Sequence, residues 1–238
     1  VIKRRGTVET QSTVCDYFPV EKEYGYSVFS TVCNIEFNNK KLNIIDCPGS
    51  DDFCGGAITA LHVADTAIIT LTANGGVEVG TQNNFRRAEK AKKPIAFVIN
   101  KCDHENADFE RTFNELKEVF GNKCTLFQYP INAGKDFNAA IDVLQGKMLV
   151  WKAEGGAPEA KDIPESEKAT VEEIRAQLLE WAAESDETIM DKYFEQGTLS
   201  DDELMQGLKT KDMETRLGKS VNLNIVEVRS PDLNAQLV

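Results

Sequence analysis

The amino-acid sequence predicts an α/β fold, with a mostly parallel sheet covered by helices and an acidic helical or mixed insertion. In the first half of the chain, apolar runs rich in β-branched residues alternate with helical patterns. Several of these runs end in polar residues, as strands of such sheets do where they approach a ligand. The charge is also uneven, because residues 154–203 hold 16 acidic and 4 basic side chains, which leaves 23 of each elsewhere. This separation indicates a distinct acidic unit.

The first half of the chain is predicted to form the sheet and its covering helices. Two strand-like runs joined by Asn-Asn-Lys indicate a hairpin, and buried-strand and helical patterns then alternate. The predicted strands span residues 27–37, 40–47, 65–73, 94–103 and 124–131, and the predicted helices span residues 56–63, 81–93 and 108–121. The polar strand ends at Asp46 and Asn100 are expected to lie at the ligand-binding edge.

The residue pattern changes at about residue 152, where a loop rich in Gly and Pro begins. Thr170 with Glu173 and Ser200 with Glu203 have the spacing of capping boxes, so each pair is expected to begin a helix. Residues 152–209 therefore read as an acidic helical insertion. We predict a core over residues 1–131, an inserted subdomain over 132–209 and a C-terminal segment of uncertain assignment over 210–238.

Composition argues against several classes of protein. No apolar run reaches the roughly 18 residues of a membrane span, so no membrane association is expected. Six cysteines occur without a Cys-x-x-Cys pair, which suits a reducing cytosol and a cytoplasmic protein better than a disulfide framework or a zinc site. No basic face for direct DNA binding is evident.

The run Asn100-Lys101-Cys102-Asp103 follows a predicted buried strand and has the Asn-Lys-x-Asp pattern that recognises guanine. The Asp103 carboxylate can accept hydrogen bonds from the guanine N1–H and amino group, which adenine lacks. Asn100 would order the loop, and the Lys101 stem would lie over the base. The alternative is an ordinary solvated turn after a strand.

A second motif, Asp46-Cys47-Pro48-Gly49, also stands at a predicted strand end. Asp46 would hold magnesium through water, and the amide of Gly49 would meet a γ-phosphate where a side chain would obstruct it. Taken alone, this motif could be a plain turn. Because the two motifs occur in the order found in GTPases, they together favour a GTPase-type fold.

Longer stretches resemble a known family. The runs NIIDCPGSDDF, NKCD, LFQYPINAGKDFNAAIDVLQGKMLVW and LLEWAAESDETIMDKYFEQGTLSDDELMQGLK resemble the GTPase domain of bacterial elongation factor G over roughly residues 15–209. The resemblance implies a P-loop GTPase-type sheet, GTP or GDP with Mg²⁺, ribosome binding and tRNA–mRNA translocation. It also implies that the inserted subdomain faces a ribosomal stalk protein.

The resemblance assigns roles to single residues of this chain. Ser27 matches the switch I threonine that ligates magnesium and keeps its hydroxyl, although the flanking residues depart from the family's Arg-Gly-Ile-Thr. Asp46 and Gly49 match switch II, and Asn100, Lys101 and Asp103 match the base-binding motif. Ser50 stands where family members carry the histidine that positions the attacking water.

The Ser50 departure leaves more than one functional interpretation. Serine is shorter than histidine and cannot form an imidazolium, so hydrolysis is expected to be impaired and the protein to act by GTP-dependent binding. Alternatively, Asp51 or Asp52 orients the water, or Ser50 acts through a bridging water, and the protein is a fully active ribosome-stimulated GTPase. A ribosomal-protection or release-type factor is a third possibility, which the inserted segment disfavours.

The phosphate loop of such GTPases is not found before Ser27, since no Gly-x₄-Gly-Lys-Ser/Thr pattern precedes it. Residues 213–220, METRLGKS, end like that pattern, but Met213 replaces its first glycine and a helical segment precedes it. We therefore expect the chain to be a fragment or an incomplete version of a longer factor. Nucleotide binding by this chain alone is then doubtful, because the phosphate-binding amides and lysine are missing.

Overall fold

A computed structural model describes residues 6, 8, 10–37, 39–121, 124–152, 157–216 and 224–228. The first part of the chain contains α1 (Pro19–Tyr24), β1 (Thr31–Phe37), β2 (Lys40–Asp46), a 3₁₀ turn (Asp51–Phe53), α2 (Cys54–Val63), β3 (Ala67–Thr72), α3 (Val79–Lys90), β4 (Ile95–Asn100) and α4 (Phe109–Phe120). The second part contains β5 (Cys124–Leu126), β6 (Gln128–Pro130), β7 (Ala139–Asp142), β8 (Lys147–Val150), β9 (Glu159–Lys161), α5 (Glu165–Ala183), α6 (Glu187–Gln196), α7 (Asp201–Arg216) and β10 (Asn224–Val228).

The central sheet has the strand order β3-β4-β10-β5, and all of its pairings are parallel. The pairing of β10 with β4 and β5 brings the C-terminal segment back between two strands of the first half. The parallel connections require helices to cross over the sheet, which α3 and α4 do. The α/β class predicted from the alternating pattern is therefore confirmed.

The core of this sheet is aromatic and aliphatic. The side chains of Ile95, Phe97 and Ile99 on β4 are 1 %, 0 % and 0 % exposed, so this strand lies at the centre of the unit. Phe85 of α3 packs against Phe97 with ring centroids 6.0 Å apart and against Phe120 at 4.3 Å. Each such buried side chain contributes about 1.5–3 kcal/mol, which fixes α3 and α4 on the sheet.

The hairpin before this sheet pairs β1 with β2 in antiparallel register, with Thr31 opposite Asp46. This pairing confirms the hairpin expected from the turn between the two runs. It places Asp46 at the end of the hairpin nearest the residues that precede β1.

The second unit combines an antiparallel sheet, β6-β7-β8-β9, with helices α5, α6 and α7. Its helices enclose Leu178, Ile189 and Leu204, which are 0 %, 5 % and 1 % exposed. At Gly207 a β-carbon would lie 2.6 Å from the Ala182 carbonyl oxygen, so glycine permits α7 to approach α5 closely.

Three sequence predictions in this unit had different outcomes. The strand expected over residues 124–131 is wrong as one element, since the chain passes between sheets at Phe127, whose carbonyl accepts from the Val143 amide at 2.9 Å. Thr170 is also wrong as a helix start, because α5 begins at Glu165 after Pro164. Ser200 is confirmed, since its hydroxyl accepts from the Glu203 amide at 3.3 Å and the Glu203 carboxylate accepts from the Ser200 amide at 3.0 Å.

The METRLGKS run belongs in part to α7. This helix continues through Arg216, so the described part of the run is helical, while residues 217–220 lie outside the described residues. Among the described helices, none combines the length and apolarity needed to cross a membrane.

Candidate functional site

The Asn-Lys-x-Asp motif of residues 100–103 forms a tight loop at the end of β4. The Asn100 side-chain oxygen accepts from the Lys101 amide at 2.8 Å, and Lys101 takes a positive φ of 56°. The Lys101 carbonyl in turn accepts from the His104 amide at 3.1 Å. Lys101 is exposed and Asp103 is half-buried. Asn100 thus closes the loop through the Lys101 amide, and the side chains of residues 101 and 103 reach the surface.

The segment that follows β6 contacts the same loop through a backbone hydrogen bond. Cys102 is fully buried, and its carbonyl accepts from the Gly134 amide at 2.7 Å. Burial first, and the neighbouring Asp103 carboxylate second, raise the pKa of the Cys102 thiol to about 12. This thiol is therefore a packing group at neutral pH. Lys135 also reaches Glu105 at 3.0 Å across the loop.

Asp46 ends β2 in an acidic neighbourhood. Burial raises the pKa of its carboxyl, and the nearby Asp16 and Glu21 carboxylates raise it further, although hydrogen bonds from Cys15 and the Cys47 amide act in the opposite direction. The Cys15 thiol also lies 3.6 Å from the sulfur of Cys33 on β1. A nearby cation would stabilise the charged form of a carboxylate that is partly buried beside two other carboxylates.

Ser27 lies close to this group, because its hydroxyl donates to Asp16 Oδ1 at 2.6 Å. Since the proton of the hydroxyl points to Asp16, the oxygen lone pairs remain for a cation. Ser27 and Asp46 are thus both attached to the Cys15–Asp16 segment, one at each residue. The sequence had given no sign that Asp16 binds the Ser27 hydroxyl.

Glu21 holds this region together. Its carboxylate is fully buried and accepts from three backbone amides, those of Phe18 at 3.1 Å, Val28 at 3.1 Å and Phe29 at 3.0 Å. Burial opposes the charge, but the three amides outweigh it and hold the pKa of Glu21 below its usual range. The loop that carries Ser27 is therefore closed around a buried anion.

The turn after β2 contains the candidate catalytic residues. Pro48 is buried, whereas Gly49 and Ser50 are exposed. Ser50 caps the 3₁₀ turn, since its hydroxyl accepts from the Asp52 amide at 3.4 Å and its carbonyl from the Phe53 amide at 3.1 Å. The Ser50 hydroxyl therefore caps the start of the 3₁₀ turn.

Asp51, the alternative water-orienting residue, is bound to α3. One carboxylate oxygen accepts from the Asn83 amide group at 2.5 Å, and the other lies 2.9 Å from the Arg87 guanidinium. The Asn83 hydrogen bond and then Arg87 hold the pKa of Asp51 below its usual range. Both oxygens of this carboxylate therefore face α3 side chains.

The structure brings the predicted residues into two groups. Ser27 contacts Asp16 and Asp46 contacts the adjacent Cys15, whereas Asn100, Lys101 and Asp103 share the loop after β4. Sequence reasoning missed Asp16, Glu21, Asn83 and Arg87. A helix face with Asn and Arg four residues apart is too common to indicate a contact with a turn 32 residues earlier.

The oxygen donors present fit magnesium. The cation prefers carboxylate, hydroxyl and water oxygens, and it is bound by one or two carboxylates together with phosphate oxygens. Asp46, Ser27 and the adjacent Asp16 supply such oxygens. Among the described residues, no group of three or more His, Cys, Asp or Glu side chains could hold a metal ion.

Comparisons with known proteins show the family of this chain. Residues 1–214 match the model of the elongation factor Tu GTP binding domain. The chain is 34 % identical to an elongation factor G-like protein of Thermotoga maritima over 88 % of its own length and 30 % of the relative. It is also 34 % identical to elongation factor G of Thermotoga sp. strain RQ2, over 89 % of the chain and again 30 % of the relative.

A solved structure shows the same fold. The crystal structure of a protein from Thermus thermophilus superposes with a TM-score of 0.83 and 29 % identity, covering 96 % of this chain and 33 % of the other. The chain therefore spans about a third of the length of the proteins that it matches.

Proposed function

Because the chain belongs to the family of elongation factor Tu GTP binding domains, we propose that it is the nucleotide-binding part of an elongation factor G-like protein that binds GTP and hydrolyses it poorly. The whole factor would bind the ribosome in the cytoplasm and promote tRNA–mRNA translocation. The observation that carries the proposal is the turn after β2. There Asp51 has both carboxylate oxygens engaged by α3, and the short Ser50 side chain, which caps the 3₁₀ turn, stands in the place of the family's histidine.

Binding of the base falls to the loop after β4. Asp103 would accept from guanine, Asn100 keeps the loop closed, and the exposed Lys101 stem would cover the ring. Replacing Asp103 with alanine removes a charged acceptor worth about 1.5–3 kcal/mol. GTP affinity should fall by at least tenfold, while the much weaker ATP affinity stays unchanged.

The turn after β2 and the loop that carries Ser27 would bind the phosphates of the nucleotide. Gly49 carries no side chain, and the structure leaves more than 4 Å of open space at that point. A γ-phosphate could approach its amide there. Magnesium, when bound, would offset charge on the phosphates, and Ser27 and Asp46 are the residues that would hold it. Asp16 would orient the Ser27 hydroxyl, and Glu21 would keep that loop closed.

A second candidate, a fully active GTPase, is favoured by one observation. Asp52 is exposed beside Ser50, and its backbone amide alone is used in the cap. Its carboxylate could orient water in place of a histidine. In this case Asp52→Asn would lower turnover and leave GTP affinity unchanged.

The experiment measures GTP affinity, ribosome binding and phosphate release in one preparation of the full-length protein. Tight GTP and ribosome binding with phosphate release near background supports the proposal. Rapid phosphate release that Asp52→Asn abolishes contradicts it and supports the second candidate. Failure to bind GTP contradicts both.

The acidic unit is proposed to dock on a ribosomal stalk protein. In support, Phe194 on α6 is 76 % exposed between Asp191 and Glu195, an apolar contact point within an acidic surface. Phe194→Ala should weaken binding to complete ribosomes and leave binding to ribosomes stripped of stalk protein unchanged. Equal binding of wild type to both kinds of ribosome would contradict this assignment.

A further inference from the structure

Two cysteines lie side by side on one face of the β1–β2 hairpin. Thr31 and Cys33 are two residues apart on β1, and Thr31 is paired with Asp46 of β2, so these three side chains project from the same face. Cys15 lies against that face, where its carbonyl accepts from the Thr31 hydroxyl at 3.0 Å. The sulfur of Cys15 is 3.6 Å from the sulfur of Cys33. The fold therefore brings together two thiols that are 18 residues apart in the sequence.

The chemistry open to this pair is that of two free thiols in contact. Cys15 and Cys33 are both reduced in the structure. Among the described residues, they belong to no group of three or more His, Cys, Asp or Glu side chains that could hold a metal ion. A disulfide has a sulfur–sulfur bond of about 2.05 Å, so the two sulfurs need to approach each other by only about 1.5 Å. The pair is therefore placed for disulfide formation rather than for metal binding.

We propose that Cys15 and Cys33 are a modification site, which hydrogen peroxide oxidises to a disulfide that locks the segment between them onto the hairpin. Cys33 is half-buried whereas Cys15 is 8 % exposed, so the peroxide reaches the Cys33 sulfur first. Peroxide transfers one oxygen to Cys33, which gives a sulfenic acid and water. The Cys15 sulfur then attacks the Cys33 sulfur, and the hydroxide that leaves takes the Cys15 proton as a second water. Two thiols are thus oxidised, and one peroxide is reduced to two waters.

The segment closed by this bond contains the loop that carries Ser27. Residues 16–32 include Asp16, which binds the Ser27 hydroxyl, and Glu21, which holds the amides of residues 28 and 29. In the reduced protein, hydrogen bonds hold the start of this segment on β1, whereas in the oxidised protein a covalent bond does. Opening of the segment is then restricted, because a cross-link removes chain entropy from the open states. The inference rests on the proposed function only where it concerns nucleotide, since Ser27 is offered there as a magnesium ligand.

The first test is whether peroxide joins these two residues in the full-length protein. Lys22 lies between them, so trypsin places Cys15 and Cys33 on separate peptides unless a disulfide links them. Mass spectrometry after peroxide treatment should find the linked peptide, and dithiothreitol should remove it. The linked peptide should be absent from Cys33→Ser and present in Cys54→Ser, a matched change of a half-buried cysteine on α2. Linkage of Cys33 to another cysteine, or its oxidation to a sulfinic acid without linkage, overturns the proposal.

The second test measures the lock by hydrogen exchange at the amides of Val28 and Phe29 in the nucleotide-free, full-length protein. Peroxide should slow this exchange by about tenfold or more in wild type and by less than about twofold in Cys33→Ser. Dithiothreitol should restore the original rate. A linked peptide without slower exchange overturns the lock.

Nucleotide separates this proposal from the proposed function. A non-hydrolysable GTP analogue with Mg²⁺ should slow exchange at the same two amides in the reduced protein. After oxidation, the analogue should change the rate by less than about twofold, because the segment is already held. Equal slowing in both forms overturns the lock. No slowing in either form contradicts the proposed function alone, because disulfide formation and its effect on the nucleotide-free protein do not depend on GTP.

Discussion

Glu21 offers the most direct test of how the Ser27 loop is built. Its buried carboxylate accepts the amides of Phe18, Val28 and Phe29, and the first of these bonds uses a different oxygen from the other two. Glu21→Gln keeps one oxygen for two amides but turns a donor group towards the third. Each hydrogen bond to a charged group is worth about 1.5–3 kcal/mol, roughly twice that of a neutral one.

The expected cost follows from these three bonds. The two retained bonds each lose about half their strength, and one buried amide is left facing a donor, so the variant should lose about 3 kcal/mol. The assay combines urea unfolding with hydrogen exchange at the amides of residues 18, 28 and 29. Exchange there should accelerate even if the loop opens without the rest of the domain.

Two controls make the result specific. Glu23→Gln alters an exposed carboxylate on the same helix and should cost less than about 0.5 kcal/mol. Because the pKa of Glu21 is lowered in the folded protein, its stabilisation is complete above the usual carboxyl pKa of 4.5. It is lost as pH falls through the lower folded value, so the two proteins should converge in acid. A deficit below about 1 kcal/mol with unchanged exchange would refute the account of the loop.

The remaining predictions concern the second unit. Gly207→Ala should cost about 1–3 kcal/mol in urea unfolding, because its β-carbon would meet the Ala182 backbone, whereas Gly55→Ala on α2, with open space, should be neutral or stabilising. A similar cost for both would show that helix approach is not responsible. Lys192 first, and then Ser200, lower the pKa of Glu203 to about 2. The start of α7 should therefore keep its full support above pH 4.5 and lose it towards pH 2, as NMR titration of the carboxyl would show. Phe194→Ala should leave urea stability within about 0.5 kcal/mol, since the ring is exposed.

The local parts of this fold were readable from the sequence. The hairpin, strand β4 and the loop from Asn100 to Asp103 are set by neighbouring residues, so alternation and turn chemistry predicted them. The capping box at Ser200 is local in the same sense. The same logic failed at Thr170, because Pro164 and the acidic residues after it begin the helix earlier.

The parts that depend on distant residues were not readable. The division of residues 124–131 between two sheets follows from pairing with β7 and β10, which come later in the chain. The sequence analysis gave no sign that Glu21 is buried, because only the folded loop encloses it. Asp51 contacts α3 because the fold places the 3₁₀ turn beside that helix. The sequence alone suggested a free carboxylate, whereas in the structure this carboxylate is bound by Asn83 and Arg87. The domain boundaries and the roles of Ser27 and Asp46 remain predictions.

Ribosome-stimulated phosphate release by the full-length protein, compared between wild type and Ser50→His, decides whether Ser50 impairs hydrolysis. We expect GTP binding in both proteins, release near background in wild type, and a gain of about 100-fold or more on restoring a histidine that can hold water. Fast release by wild type, with little change in Ser50→His, would contradict the claim that Ser50 impairs hydrolysis.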